Sequence, residues 1–291
     1  MTDYDNFQIN QSANGFGAIL KGASLNRPLA REQVESVLGA LAKYSVVSFP
    51  DQDFDPTSLE RFSQSLGEFG EDPYVEAMEG HKHVIEVRRE PNETAPIFGS
   101  LWHSDWSFQK HPPSITALYS VEVPPIGGDT LFADHYRAFE SLSLKLQDIL
   151  LSLEGVHSAS PAYSDTKGLF SQDDDTRSMK ILVSPDADSS VIHPLVRRHP
   201  WSGRDALYVN HVYTVAIKDL DDDESDMLLK FLFEHYTKPE FLYRHVWASN
   251  TLLLWDNRCV SHYAEGGYEG YKRLLYRTTI AGEEPLQSKR A

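Results

Sequence analysis

Cysteine is nearly missing from this sequence: with only Cys259 among 291 residues, no intrachain disulfide can form and no Cys-rich zinc site can be built. Positive charge is also scarce. Forty-three Asp and Glu against 27 Lys and Arg leave a formal net charge of −16. A surface that acidic repels phosphate backbones and anionic lipid, which argues against nucleic acid and against a membrane surface as partner. It also removes any bulk attraction for an anionic small molecule, so such a substrate would have to be held by local arginines. Long apolar runs are absent too, and no window approaches the roughly 18 apolar residues of a spanning helix. The opening stretch, MTDYDNFQINQSANGFG, has neither the basic start nor the apolar stretch of a secretory leader. The expectation is a cytoplasmic protein, in which the Asn-x-Ser/Thr matches at Asn10 and Asn92 are chance occurrences.

What is present is ordinary for a globular protein: 41% hydrophobic, 11% aromatic and 24% charged residues, enough apolar mass for a sizeable core. The length admits one large domain or two small ones. Val34, Val37, Leu38 and Leu41 share a face and predict a helix over 30–43, followed by a buried strand from Ser45 to Phe49. A second helix is expected after Asp55, with Pro56 in its first turn and Leu59, Phe62 and Leu66 on one face. Strands are expected at 83–87, 115–121, 130–132, 251–255 and 274–280, and helices at 142–153 and 221–236. The polar stretch from Arg88 to Gly99 predicts a loop. Ser158 to Asp188, with an acidic run at Asp173 to Asp175, predicts a mobile loop or insert. Short strands spread through the chain with a few helices fit a β-barrel or jelly-roll core wrapped by helices. No repeat, low-complexity tract or linker interrupts it.

Chemistry concentrates in two places. In Trp102-His103-Ser104-Asp105 the histidine and the aspartate are two apart, so an extended strand would project both from one face. Alone this triplet is weak evidence in a chain with 12 histidines. A late β-run, Trp255 to His262, would deliver a second histidine at its end. Two neutral nitrogens and one carboxylate leave three adjacent positions open on an octahedral metal, the pattern of non-haem Fe(II) oxygenases. A bidentate oxoacid chelating such a metal needs its far carboxylate held. Arg273 and Arg277, an even number of positions apart on one predicted strand, can both face it, and their planar forks suit carboxylates. Thr130, in Gly127-Gly128-Asp129-Thr130, could add a hydroxyl.

At this point the chain resembles the taurine/2,4-dichlorophenoxyacetate type of 2-oxoglutarate dioxygenases. The motifs that carry the resemblance are WHSDWSF at 102–108, GGDTLFAD at 127–134, HPLVRRHPWSGRDALYVN at 193–210, and WDNRCVSHYA through KRLLYRTTIAGEEP at 255–285, spread from about Gly17 to Pro285. The resemblance implies a single catalytic domain over 1–291 with a mainly β, double-stranded β-helix (jelly-roll) fold and flanking helices; the polarity and length of 158–188 alone make it a candidate lid. It implies His103, Asp105 and His262 as ligands of Fe(II), and Thr130 and Arg273 as anchors of 2-oxoglutarate. It implies Arg277 as a clamp on the anionic group of a small substrate, O2 as the other cosubstrate, and a homo-oligomer, dimer or tetramer. Trp106 and Phe108, flanking the ligands, would line the apolar part of the substrate pocket. The expected reaction is hydroxylation of a small sulfonate, sulfate ester or aryloxy-carboxylate, with 2-oxoglutarate decarboxylated to succinate and CO2. Halogenating relatives replace the carboxylate ligand by a small residue, so Asp105 favours hydroxylation. One departure concerns the substrate: members acting on taurine place a histidine where this chain reads Gly70-Glu71-Asp72-Pro73, and an acidic residue there would repel a sulfonate.

Two other classes compete. Two histidines and a carboxylate also describe a zinc hydrolase, a reading that leaves Arg273 unexplained. A non-enzymatic jelly-roll binding module would be expected to have lost some of the ligands or anchors. His81 and His83 repeat the two-apart spacing without a third ligand nearby and read as surface histidines, and Cys259 reads as a small buried packing residue.

Overall fold

The structure, a computed structural model, describes residues 7–172 and 176–288. The acidic run Asp173 to Asp175 lies outside the described residues. A seven-stranded sheet forms the larger layer, in the order Gln8–Gln11, Ala18–Lys21, Val46–Phe49, Leu252–Asp256, Ile115–Glu122, Arg273–Ile280, Ile85–Arg89. Its pairings are antiparallel except for Ala18–Lys21 beside Val46–Phe49.

The central Leu252–Asp256 strand shows why the sheet is buried on both faces. Leu252 and Leu254 point to the side covered by the helices Arg31–Tyr44 and Pro56–Leu66, where they meet Val37, Leu41, Leu59 and Phe62. Leu253 and Trp255, one position out of phase, point to the opposite side and pack on Phe132 and Val260. Those two residues belong to a three-stranded sheet, Leu242–His245, Thr130–Asp134 and Val260–Ala264, that faces the larger one. Two further three-stranded sheets continue the sandwich, and the long helix Asp222–Tyr236 covers it with Leu229, Leu232 and Tyr236. This is the expected mainly β, jelly-roll architecture with flanking helices, and the site lies between its two facing sheets.

Local chemistry sets the helix boundaries. The Asp55 carboxylate accepts the Ser58 N–H at 2.7 Å, and Pro56 begins the helix. Helix Arg31–Tyr44 stops at Ser45, whose φ of 62° lets its N–H reach back to the Leu41 carbonyl.

The structure corrects several expectations. The helix expected over 142–153 is only Leu144–Leu150, because the Ser143 side chain caps its start and Leu151 to Leu153 turn into the strand Glu154–Ser158. The strand expected at 83–87 is Ile85–Arg89, so the following loop begins after Arg89. The segment 158–188 is no loose insert. It carries the helix Ser160–Tyr163 and the 3-10 turns Leu169–Gln172 and Pro185–Asp188, with Tyr163, Phe170, Met179 and Ala187 buried against Trp106 and Tyr213. Its apolar residues follow neither helical nor strand spacing, so polarity hid the packing.

Candidate metal and cosubstrate site

Three elements converge between the sheets. His103 and His262 exchange backbone hydrogen bonds, His103 N–H to the His262 carbonyl at 3.0 Å and the reverse at 2.7 Å, which fixes two distant chain segments in register. Their rings lie 4.1 Å apart between centroids. The Asp105 Oδ1 lies 3.7 Å from His103 Nε2 and 3.9 Å from His262 Nε2. All three side chains are buried, and one ligand atom from each falls within 4.8 Å of the others.

The route to this geometry differs from the expected one. His103 and Asp105 do not alternate along a regular strand: His103 sits in an isolated bridge, Asp105 opens a turn, and Trp106 takes a left-handed φ of 48°. A non-glycine residue in that region is strained and persists only where its surroundings hold it. His262 is likewise not at the end of the late β-run but in the middle of Val260–Ala264, after a tight turn from Leu252–Asp256.

Each ligand is oriented by neighbours. His103 Nδ1 faces the Leu101 carbonyl at 2.7 Å, which leaves the Nε2 lone pair free. The His262 ring is held by packing against Trp255, at 4.7 Å, and Phe132, at 5.9 Å. The Asp105 Oδ2 accepts the Thr116 hydroxyl at 2.6 Å, and Thr116 Oγ1 in turn accepts from Asn257 Nδ2 at 2.8 Å. Thr116 and Asn257 were missed from sequence. Only the position of Asn257, beside the late ligand motif, could have pointed to it.

Charge is arranged to suit a cation. Burial lowers the pKa of both histidines, so both are neutral lone-pair donors at pH 7. Burial alone would raise the Asp105 pKa, but the adjacent Arg277 guanidinium above all holds the carboxyl well below the usual range. The contacts between these histidines and Asp105 are therefore not ion pairs. They gather two neutral nitrogens and one carboxylate round one point.

Beside this cluster lies a small cavity of about 40 Å³, reached by Leu118, Thr130, Trp255, His262, Arg273 and Arg277. Arg273 and Arg277 do project from one face of the Arg273–Ile280 strand, as their spacing predicts. Arg273 is buried with no carboxylate partner among the described residues; one hydrogen bond, Nη2 to the Gly128 carbonyl at 3.4 Å, is all it makes, and Nε has no acceptor. Tyr268 and Trp247 flank it at 5.9 and 5.8 Å from their ring centroids. The Gly127-Gly128 turn makes this approach possible: both glycines have positive φ, and a Cβ on Gly127 would come 2.5 Å from the Gly267 carbonyl. Thr130, on the strand that leaves this turn, receives the Trp247 indole N–H on its hydroxyl oxygen at 3.0 Å, so its own proton is free for the cavity.

A second small chamber, also of about 40 Å³, adjoins, sharing His103 and Asp105. Its wall is apolar and aromatic, from Phe98, Leu101, Trp106, Tyr163, Phe170 and Tyr213. Trp106 is therefore where the sequence placed it. Phe108 is not on this wall; it packs behind it, 4.9 Å from the Tyr213 ring and 5.7 Å from Trp106. Arg277 is not free: Nη1 donates to Asp72 Oδ1, and Nη2 lies 3.2 Å from Asp105 Oδ1 without hydrogen-bond geometry.

The residues that lie outside the site are soon accounted for. His81 meets Glu60 at 2.9 Å and His83 stacks on Phe69 at 4.1 Å, and no metal-ligating cluster includes either among the described residues. Cys259 is buried, and burial raises its thiol pKa. A second group, His199, Asp256 and Cys259, also lies close together. There the Asp256 carboxylate is taken up by Arg258 at 2.7 and 2.8 Å and by His199 at 3.0 Å, so the cluster is a buried hydrogen-bond network.

Comparison with known proteins bears on this site. Residues 8–279 match the family model described as taurine catabolism dioxygenase TauD, TfdA family. An α-ketoglutarate-dependent sulfate ester dioxygenase of Pseudomonas putida is 31% identical over 279 residues, covering 96% of this chain and 90% of that protein. The crystal structure of a taurine dioxygenase from Burkholderia xenovorans superposes with a TM-score of 0.80 at 31% identity, covering 97% of this chain and 93% of that one. The crystal structure of AAD-2 in complex with Mn(II) and N-oxalylglycine gives 0.75 at 27% identity, covering 97% of this chain and all (100%) of the other.

Proposed function

Because the chain belongs to the TauD/TfdA family and is an α-ketoglutarate-dependent dioxygenase, using Fe(II), 2-oxoglutarate and O2, we propose that it hydroxylates a small organic anion of the sulfonate, sulfate ester or aryloxy-carboxylate type. The observation that carries the reading of the site is Arg273. A buried guanidinium without a counter-ion is costly, and it is understandable where a ligand supplies the anion. The far carboxylate of 2-oxoglutarate meets that need, with the Thr130 hydroxyl as a second donor.

His103, Asp105 and His262 would hold Fe(II), leaving three adjacent positions open. When bound, the iron supplies the redox chemistry that couples oxidative decarboxylation of 2-oxoglutarate, giving succinate and CO2, to insertion of one oxygen atom into a C–H bond. The chain's own share is positional. Thr116 and Asn257 fix the carboxylate ligand, Leu101 fixes the His103 tautomer, and the packed segment 158–188 shields the substrate chamber with Tyr163 and Phe170. We read the described residues as one catalytic unit with that segment as its cover. Trp106 gives the substrate an apolar wall, and the remaining donors of Arg277 face its anionic group.

The test is anaerobic addition of Fe(II) and then 2-oxoglutarate to the apoprotein, followed by visible absorption, beside His262→Ala. A weak metal-to-ligand band in the wild type and none in the variant is the expected result. Bound iron with no band on adding 2-oxoglutarate would refute this assignment of the site.

A further inference from the structure

The two arginines of the site share a strand face and differ in one respect. Arg273 makes no ion pair among the described residues, whereas Arg277 donates to Asp72 and lies 3.2 Å from Asp105. Asp72 comes from the loop after helix Pro56–Leu66 and is only 12% exposed at its side chain. It is held there by two more donors: the Trp106 indole N–H at 2.6 Å on Oδ1 and the Thr279 hydroxyl at 3.0 Å on Oδ2. Arg277 also lies over the Trp106 ring, 5.2 Å from its centroid. Asp72 lines neither chamber itself, but it locks together Arg277 from the wall of one and Trp106 from the wall of the other, so its carboxylate acts on the site through these two side chains.

We propose that Asp72 is a specificity-determining residue, which screens Arg277 so that this enzyme selects its substrate by its apolar body more than by its anionic head. The inference rests on the reading of Arg277 as the contact for the substrate's anion. A guanidinium that already carries a carboxylate on Nη1, and whose buried Nη2 lies 3.2 Å from Asp105 Oδ1, has part of its donor capacity and charge taken up, and an incoming anion meets the like charge of Asp72. Head-group attraction is therefore partly cancelled in this protein before substrate arrives. What remains for discrimination is the aromatic chamber of Trp106, Tyr163, Phe170 and Tyr213. Each methylene buried there strengthens binding about fourfold. The substrates favoured are anions on an extended or bulky apolar group, and short alkyl sulfonates are poor ones.

The experiment measures succinate release with ethanesulfonate and pentane-1-sulfonate for the wild type, Asp72→Asn and Glu71→Gln. Asp72→Asn keeps the shape and the Oδ1 acceptor while removing the charge. Glu71→Gln removes an equal charge from the exposed neighbouring position and controls for bulk electrostatics. The wild type is expected to favour the longer sulfonate by roughly 60-fold in KM, the product of three methylenes at about fourfold each. In Asp72→Asn, KM for both sulfonates is expected to fall by about tenfold or more with kcat changed far less, and Glu71→Gln is expected to behave as wild type. The visible band with Fe(II) and 2-oxoglutarate reports whether the Asn variant is folded; should it be lost, Asp72→Ser supplies the same measurement. Turnover with the same KM in wild type and in the folded Asp72 variant would overturn the role of Asp72 while leaving the proposed function standing. No succinate from either sulfonate in any folded protein would overturn the substrate preference inferred here, while the proposed function would still stand on sulfate esters and aryloxy-carboxylates.

Discussion

Arg273→Met separates what binds from what folds. Wild-type Arg273 is a buried cation without a counter-ion among the described residues, and burial lowers its pKa below the usual arginine value. The sign follows directly: a cation whose pKa is depressed on folding weakens the fold at every pH below that value, which includes all ordinary conditions. Methionine keeps the stem between Trp247 and Tyr268 and removes the charge. The desolvation of a buried ion costs several kcal/mol, offset only in part here by the Gly128 carbonyl and the two rings. The ligand-free variant is therefore expected to match the wild type or exceed it by about 1–3 kcal/mol, roughly 2–4 °C in Tm for each kcal/mol. Cosubstrate affinity should move the other way. Losing one partner of a buried charge pair costs about 2–5 kcal/mol, or about 30- to 5000-fold in the Kd for 2-oxoglutarate. Anaerobic thermal unfolding with Fe(II), with and without 2-oxoglutarate, reads both effects. At a concentration a hundredfold above the wild-type Kd, 2-oxoglutarate should stabilise the wild type by about 2.7 kcal/mol and the variant by less than about 1 kcal/mol. A variant destabilised by more than about 2 kcal/mol without ligand, yet stabilised by 2-oxoglutarate as the wild type is, would refute the reasoning.

Other consequences can be tested separately. Thr116→Val removes the hydroxyl that holds Asp105 Oδ2 at 2.6 Å, and a loss of about 10- to 100-fold in Fe(II) affinity is expected by anaerobic calorimetry, with about 1–3 kcal/mol of stability lost through the stranded polar groups. An unchanged metal affinity would mean that the carboxylate orients itself. Cys259 is buried and its thiol pKa is raised by burial, so a thiol reagent should label it only on unfolding, and fast labelling of the native protein at pH 8 would contradict that. Since the folded thiol holds its proton more tightly, its contribution to stability is complete below the unfolded pKa of about 9 and declines as pH rises above it. Comparing denaturant unfolding of Cys259→Ser and wild type at pH 7 and pH 10 checks the sign, with the gap expected to narrow at the higher pH.

Much of this molecule could be read from its sequence because the signals were local. Val37, Leu41, Leu59 and Phe62 recur at helical spacing, and both helices stand within two residues of their expected bounds. The even spacing of Arg273 and Arg277 put them on one strand face, where they are. The failures share a cause as well. Strict alternation predicted His103 and Asp105 on a strand, but the tertiary bridge between His103 and His262 fixes the first ligand, and a left-handed Trp106 bends the chain after the second. The segment 158–188 looked solvated because its buried residues keep no period, although Tyr163 and Phe170 pack into the chamber wall. Thr116 supports Asp105 from a strand whose sequence carries no motif, a relation that exists only once the turn holding Asp105 folds against that strand.

The contrast between Arg273 and Arg277 bears on how one strand can serve two ligands. Both are buried, four positions apart, in a chain whose net charge of −16 offers nothing to anions at long range. A cosubstrate common to every turnover calls for a strong, fixed anchor, and an unpaired guanidinium flanked by rings provides it. A variable substrate calls for discrimination, which a bare cation does poorly, since it would hold any anion, including a second 2-oxoglutarate. A carboxylate on Arg277, locked by Trp106 and Thr279, removes that indiscriminate attraction at the substrate end only. Removing Asp72 should then make the enzyme less selective in a specific way: 2-oxoglutarate in excess should begin to compete with the sulfonate substrate. Inhibition by high 2-oxoglutarate that is present in Asp72→Asn and absent from the wild type is the expected pattern, and equal inhibition in the two would show that the charge on Arg277 is not what Asp72 controls.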